Sequence, residues 1–295
     1  MKVDNSMIAA YCKCQYYYGI RYERFRATKA VKPALDVGLA AHEFARLYFT
    51  GQDTSEYYAG AVQSLLALDI EPEKVGIAVG QFMACCTVLA EQYTVSVDAN
   101  NTVLIYGKDA KGVYPRWIVR DAEIAFQFPL SDKHDYMGRI DLIVEDGNGH
   151  IWLPDLKTSG FASQPTWREH WKLASQLRGY CYAASIQLGN PIAGAVIIPI
   201  ATATRSERGQ KYGTANFTSE IELRYDEHDL ELWRVETLGI ISEMETSRLH
   251  PTGKYSGNCS NLAFGRCEFF EHCQTGYNEQ MLLQDTEEKI WNPLA

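Results

Sequence analysis

Asp155 and Lys157 stand two residues apart in Pro154-Asp155-Leu156-Lys157-Thr158-Ser159, and Asp141 closes the preceding segment Gly138-Arg139-Ile140-Asp141. On a strand, residues two apart leave the same face, so Asp155 and Lys157 present a carboxylate beside an ammonium while Leu156 enters the opposite layer. Between the two segments lies Asp146-Gly147-Asn148-Gly149, a strong hairpin signal that can bring Asp141 next to Asp155. Two carboxylates on one surface suit a hard divalent cation such as Mg2+, whose shell is completed by waters and a substrate phosphate. An ammonium at its side can hold an attacking water or the charge of a transition state. Taken singly, Asp-x-Lys is more often the end of a surface strand; its weight comes from what accompanies it.

Those side chains need strands beneath them and helices around them. Residues 6–26 carry a helical pattern rich in Tyr, and from Leu35 the positions Leu39, His42 and Phe49 recur at helical intervals, predicting about four turns that carry His42. Further helical pattern covers Tyr57–Ala67 and Val75–Tyr93. The character then changes to short alternating segments at Val103–Tyr106, Trp117–Phe128, Gly138–Val144 and Ile151–Lys157. A helix over Pro165–Leu188, a buried strand over Ala193–Ile200, an edge strand within Asn216–Tyr225 and a long helix over Glu227–Glu245 complete the reading. The order helix, strands, helix, strand predicts an α/β core with a mixed sheet. Gln176 and Tyr180, four apart, share a face of the helix after the lysine strand.

The paired segments, with Pro154 ahead of Asp155, resemble the motifs of PD-(D/E)xK nucleases. Within that superfamily the chain is similar to the RecB-type branch, which includes the AddB helicase-nuclease subunit, the CRISPR spacer-acquisition nucleases and related phage exonucleases. Gly38 and His42 fall where that branch places a metal-binding His on an upstream helix. Gln176 and Tyr180 fit its Gln-x-x-x-Tyr motif, and Glu123 sits where a carboxylate often precedes the Gly-Arg-Ile-Asp strand, though pairing with an arginine explains Glu123 equally well.

The resemblance implies a restriction-endonuclease-like core with a central mixed sheet flanked by helices and extended by helical additions at both ends. It implies Mg2+ or Mn2+ held by His42, Asp141, Asp155 and the backbone carbonyl of Leu156, with Lys157, Gln176 and Tyr180 completing the catalytic set. DNA is the implied partner, cut to 5'-phosphate products by exonuclease action at ends or on single strands, with a recombination or helicase protein as a further partner. Residues 1–295 are expected to form a single nuclease domain: a helical part over 1–100, the catalytic core over 101–225, and a closing helix and cysteine cluster over 226–295.

The eight cysteines divide by surroundings. Cys85, Cys86 and Cys181 sit in apolar runs typical of buried thiols, whereas Cys12, Cys14, Cys259, Cys267 and Cys273 lie toward the ends. In iron-sulfur members of the branch, one Cys before the core joins three after it around a [4Fe-4S] cluster. The resemblance therefore implies Cys14, Cys259, Cys267 and Cys273, with Cys12 in reserve. The spacing departs from the family's: seven residues separate Cys259 from Cys267 where two are usual. Four thiolates suit Zn2+ equally well.

With 46% hydrophobic and 12% aromatic residues over 295 positions, the chain can bury a large core, which sets disorder aside. No apolar run approaches the roughly 20 residues of a membrane span, and the opening residues lack a signal-peptide core, so a cytoplasmic protein is expected. A formal charge of −9 argues against a protein that coats nucleic acid, but not against an enzyme with a locally basic groove. Candidates for that lining are Arg21, Arg24, Arg26, Lys29 and Lys32, then Arg168, Lys172 and Arg178, then Arg205, Arg208 and Lys211. Two other functions fit the same residues: a DNA-binding or assembly subunit with latent nuclease activity, and a zinc-stapled structural protein. An oligomer is compatible with all three.

Overall fold

A computed structural model of the chain describes residues 1–108, 114–247, 259–261, 265–276, 278–292 and 294. They group into two compact units, one of Val31–Ile124 with Ile140–Leu230, the other of Met1–Ala30, Ala125–Arg139 and Glu231–Ala295.

The first unit opens with three helices, α1 (Pro33–Phe49), α2 (Ser55–Leu66) and α3 (Pro72–Gln92). Pro at the first helical position starts both α1 and α3, where its missing N–H leaves no donor unpaired. The strands β1 (Tyr93–Val97), β2 (Val103–Gly107), β3 (Trp117–Ser131), β4 (His134–Glu145) and β5 (Ile151–Ser159) follow, with β3 and β4 also contributing residues to the other unit. Then come α4 (Pro165–His170), α5 (Ser175–Leu188), β6 (Ile192–Glu207), β7 (Gln210–Phe217) and β8 (Ile221–Arg224). The sheet order is β8-β6-β5-β4-β3-β2-β1, with β7 also paired to β6. β5 and β6 run parallel through the α5 crossover, and the β4–β5, β6–β7 and β6–β8 pairs are antiparallel, so the sheet is mixed as expected.

The predicted hairpin forms, pairing Val144 with Trp152 and Glu145 with Ile151. Asp146 fastens the turn by accepting the N–H groups of Asn148 and His150. Leu142, Val144, Trp152 and Leu156 enter one apolar core with Phe44, Phe82, Val196 and Ile198, drawn from α1, α3 and β6. That burial fixes the strands' register, because a slip of one residue would move the apolar set out of the core.

Three expectations are corrected. The helix predicted over Pro165–Leu188 is interrupted: α4 ends at His170, a 3-10 turn covers Trp171–Leu173, and Ala174 is extended before α5 begins. Neither Pro nor Gly marks the break, which is tertiary in origin. Arg168 donates to the carbonyls of Ser219 and Glu220, and Arg178 donates to the freed carbonyl of Lys172 at 3.0 Å. The buried strand continues past Ile200 to Glu207 and turns through Arg208 and Gly209, both at positive φ, into β7. α3 is long and apolar enough to cross a membrane by length and composition. However, Ala78, Phe82, Cys85, Cys86 and Leu89 on it belong to the protein core.

In the second unit the Tyr-rich opening is broken into Asn5–Lys13, Gln15–Tyr18 and a π turn over Gly19–Glu23, with Cys14 extended between the first two. Asp4 caps the first helix by accepting from Ser6 and Met7, and the strand Lys2–Val3 pairs with Asp135 and Tyr136. Arg26–Thr28 pairs antiparallel with Thr286–Glu288.

α3 lies on β7 with almost no side chain between them. A Cβ added at Gly213 would fall 2.0 Å from the Ile77 carbonyl oxygen, whereas one added at Gly76, on the same helix, meets nothing within 4 Å. Gly213→Ala is therefore expected to destabilise the fold by about 1–3 kcal/mol or more, the usual cost of overpacking. Gly76→Ala should stabilise it by up to about 1 kcal/mol through helix propensity. Urea unfolding of the two variants checks this, and equal midpoints would refute the close approach.

Candidate active site

α1 reaches the lysine strand because residue 38 is glycine: a Cβ there would stand only 3.2 Å from Thr158 Oγ1. One turn further along α1, His42 projects toward β4, its Nδ1 3.3 Å from Asp141 Oδ2, with both side chains about one-third exposed. On β5, Lys157 Nζ lies 2.8 Å from Asp155 Oδ2. Continuing the hairpin register three residues beyond Val144 and Trp152 would set Asp141 opposite Asp155, and each carboxylate acts electrostatically on the other. His42, Asp141, Asp155 and Lys157 thus gather at one place.

Asp155 is buried, and that governs the electrostatics. Desolvation pushes its carboxyl above the ordinary carboxylate range; Lys157 and His42 pull it down, while Asp141 pushes it up. Asp155 Oδ2 is met by the Lys157 ammonium at 2.8 Å and by no other donor among the described residues. A buried carboxylate oxygen in that condition is suited to a cation. Among the described residues no three His, Cys, Asp or Glu side chains form a ready-made metal-binding group. His42, Asp141 and Asp155 have the right donor chemistry, and an ion would draw them closer.

Gln176 Nε2 donates to Tyr180 Oη at 3.1 Å, so the predicted pair is a single hydrogen-bonded unit on α5. Leu156 places its side chain in the core between Asp155 and Lys157. Glu123 has a left-handed backbone, φ 54°, within β3, and it stabilises the charged form of Arg46, which Glu43 grips first through a bidentate contact. One participant is not legible in the sequence. Lys157 Nζ lies 5.3 Å from the centre of the Trp171 ring, and the Trp171 Nε1–H is buried without an acceptor among the described residues. Helical periodicity hides it, since only the break after His170 turns it toward the lysine.

Several candidate groove cations have structural partners. Arg168 clasps Ser219, Lys211 pairs with Glu73, Arg24 with Glu279, and Arg26 with Thr286.

In the other unit, Cys14 caps Gln15–Tyr18 by accepting from the Tyr17 N–H. The Cys267 N–H donates to the Cys259 carbonyl at 2.9 Å, and Cys273 lies on the short helix Phe270–Gln274. Burial raises the Cys267 thiol, and Cys259 and Cys14 add to the shift as like-charged neighbours. Cys14, Cys259 and Cys267 are therefore within electrostatic reach of one another, while Cys12 is exposed on its helix. Soft thiols raised by burial are ionised most readily by a bound metal.

The family model of the PD-(D/E)XK nuclease superfamily matches residues 5–274. The chain belongs to that superfamily, whose members are metal-dependent nucleases, and its mixed sheet flanked by helices is consistent with their core. No curated protein matches it. Among solved structures, a crystal structure of SSO0001 is 15% identical over 75% of this chain and 78% of that one, with a TM-score of 0.29, too low to bear on the fold.

A carboxyl whose pKa rises on folding is held less well ionised in the native state, so its charge costs stability above the ordinary carboxylate range. Asp155→Asn removes that charge from a buried position. In metal-free buffer at pH 7 the variant should melt above the parent, by roughly 2–4 °C for each kcal/mol relieved. The gap should close as the pH falls toward about 4. A variant melting below the parent at pH 7 would show that Lys157 more than offsets the burial.

Proposed function

We propose that the protein is a DNA nuclease of the RecB-type branch, acting as an exonuclease on DNA ends or single strands in recombination, repair or DNA processing. The observation that carries this reading is the buried Asp155 carboxylate, its Oδ2 met by the Lys157 ammonium alone among the described residues and flanked by Asp141 and His42.

His42, Asp141, Asp155 and the Leu156 backbone carbonyl would hold Mg2+ or Mn2+, with Glu123 an additional carboxylate; such an ion would supply a more acidic water and balancing charge for the phosphate. Lys157, fixed by Asp155 on one side and the Trp171 ring on the other, would orient that water as the ammonium or, as the neutral amine, take its proton. The Gln176–Tyr180 pair positions the lysine or the scissile phosphate by hydrogen bonds. Asp141→Ala, Asp155→Ala and Lys157→Ala should each lower Mn2+-dependent cleavage of labelled DNA by about 10²–10⁴-fold while circular dichroism stays unchanged. Cleavage at the parent rate by folded, purified variants would reject the site.

Cys14, Cys259, Cys267 and Cys273 are read as ligands of a [4Fe-4S] cluster, with Cys12 in reserve and Zn2+ as the other ion such a set would take. Protein purified without oxygen should be brown with a broad absorbance near 400 nm, as expected for thiolate-bound iron. Cys14→Ser should lose colour and iron together. A colourless protein with one equivalent of zinc would assign the site to zinc.

A further inference from the structure

The connector between β5 and α5, residues 160–174, is tied down by buried Ala162 and Ala174 and is otherwise largely at the surface. A solvent-facing connector has no packing reason to be aromatic. This one carries Phe161, Trp167, His170, Trp171 and Leu173; Leu173 shows 81% of its surface, while Trp167 and Trp171 are half-buried. Trp167 and Trp171 meet edge to face with centroids 5.5 Å apart, and His170 meets Trp171 at the same distance. The orphaned Trp171 Nε1–H makes indole a costly filler where phenyl would leave nothing unpaired. The group also adjoins the chemistry, because Trp171 contacts the Lys157 ammonium.

We propose that Trp167 and Trp171 form a stacking platform for the bases of single-stranded DNA, selecting an unpaired strand at the mouth of the active site. The proposal rests on the nuclease reading above and deepens it by naming the form of the substrate. In a duplex the base faces are covered by neighbouring bases, so aromatic rings gain from stacking only when the strand is open. Each stacked base contributes roughly 5–150-fold in affinity, independent of sequence, because every base has a π-face. A phosphate-binding groove alone would not distinguish the two forms in this way.

The test uses the full chain in EDTA, so that binding is read without cleavage. Fluorescence anisotropy compares an oligo-dT strand, the same strand built from abasic units, and a blunt duplex. The parent should bind oligo-dT at least about 5-fold more tightly than the abasic strand. Trp167→Ala, which leaves the Lys157 contact intact, should remove that difference, shift abasic and duplex binding by less than about twofold, and be largely rescued in Trp167→Phe. Trp171→Ala should act in the same direction; if it fails to fold, Trp167 decides. Equal parental affinity for the dT and abasic strands would overturn the proposal. So would a loss in Trp167→Ala that is equal on all three ligands, or no loss on any, and the last result would point to a protein partner for the aromatic surface. A protein that binds bases in this pattern yet cleaves nothing in Mn2+ would refute the nuclease reading alone. One that cleaves DNA with base-independent binding would refute the platform alone.

Discussion

The site turns on a carboxylate that water does not solvate. Asp155 is 4% exposed, held against the Lys157 ammonium at 2.8 Å, with a second carboxylate and a histidine in electrostatic reach. Such a charge is costly to bury and is tolerated only where opposite charge is supplied in good geometry. One ammonium, itself partly exposed, supplies that charge incompletely, which is why desolvation prevails over the attraction and the carboxyl is raised. Nucleases of the superfamily generally use Mg2+ or Mn2+, and a carboxylate left short of positive charge suits such an ion.

The fold is arranged to hold that charge in place. β5 lies inside the sheet, paired antiparallel to β4 and parallel to β6, so Asp155 and Lys157 cannot shift without moving two neighbours. Leu156, between them, is anchored in the core with Phe44 of α1 and Ile198 of β6. The glycine at position 38 lets α1 come close to Thr158, and the helical repeat then carries His42 to Asp141. Sheet register, core packing and one missing side chain together set the geometry of four polar residues.

The parts legible in the sequence are those governed by local rules. Period-two alternation placed Asp155 and Lys157, turn chemistry placed the hairpin, and the four-residue spacing of Gln176 and Tyr180 placed them on one helix face, where they hydrogen-bond to each other. The parts that were hidden depend on distant partners. Trp171 meets the lysine from a turn between two helices, where Arg168 donates to the Ser219 and Glu220 carbonyls between β7 and β8 and Arg178 to the Lys172 carbonyl, and neither contact leaves a periodic trace. The same holds for β7, whose Gly213 is explained by the α3 backbone more than a hundred residues earlier and by nothing beside it.

The cysteine-bearing unit solves a different problem, that of gathering soft ligands from opposite ends of a chain. Tyr16 meets the buried His272 through a 3.0 Å hydrogen bond, His272 Nδ1 lies 2.8 Å from the Asn278 carbonyl, and Tyr17 donates to Glu268. Tyr17 also packs against Phe269, with ring centroids 5.3 Å apart. These contacts join the segment after Cys14 to the segment containing Cys267 and Cys273 by side-chain hydrogen bonds and ring packing. Protein contacts alone leave the Cys267 thiol raised, and therefore protonated at neutral pH. The neighbours that add to burial in raising it, Cys259 and Cys14, come from stretches far apart in sequence, so no local pattern around any one cysteine records their approach.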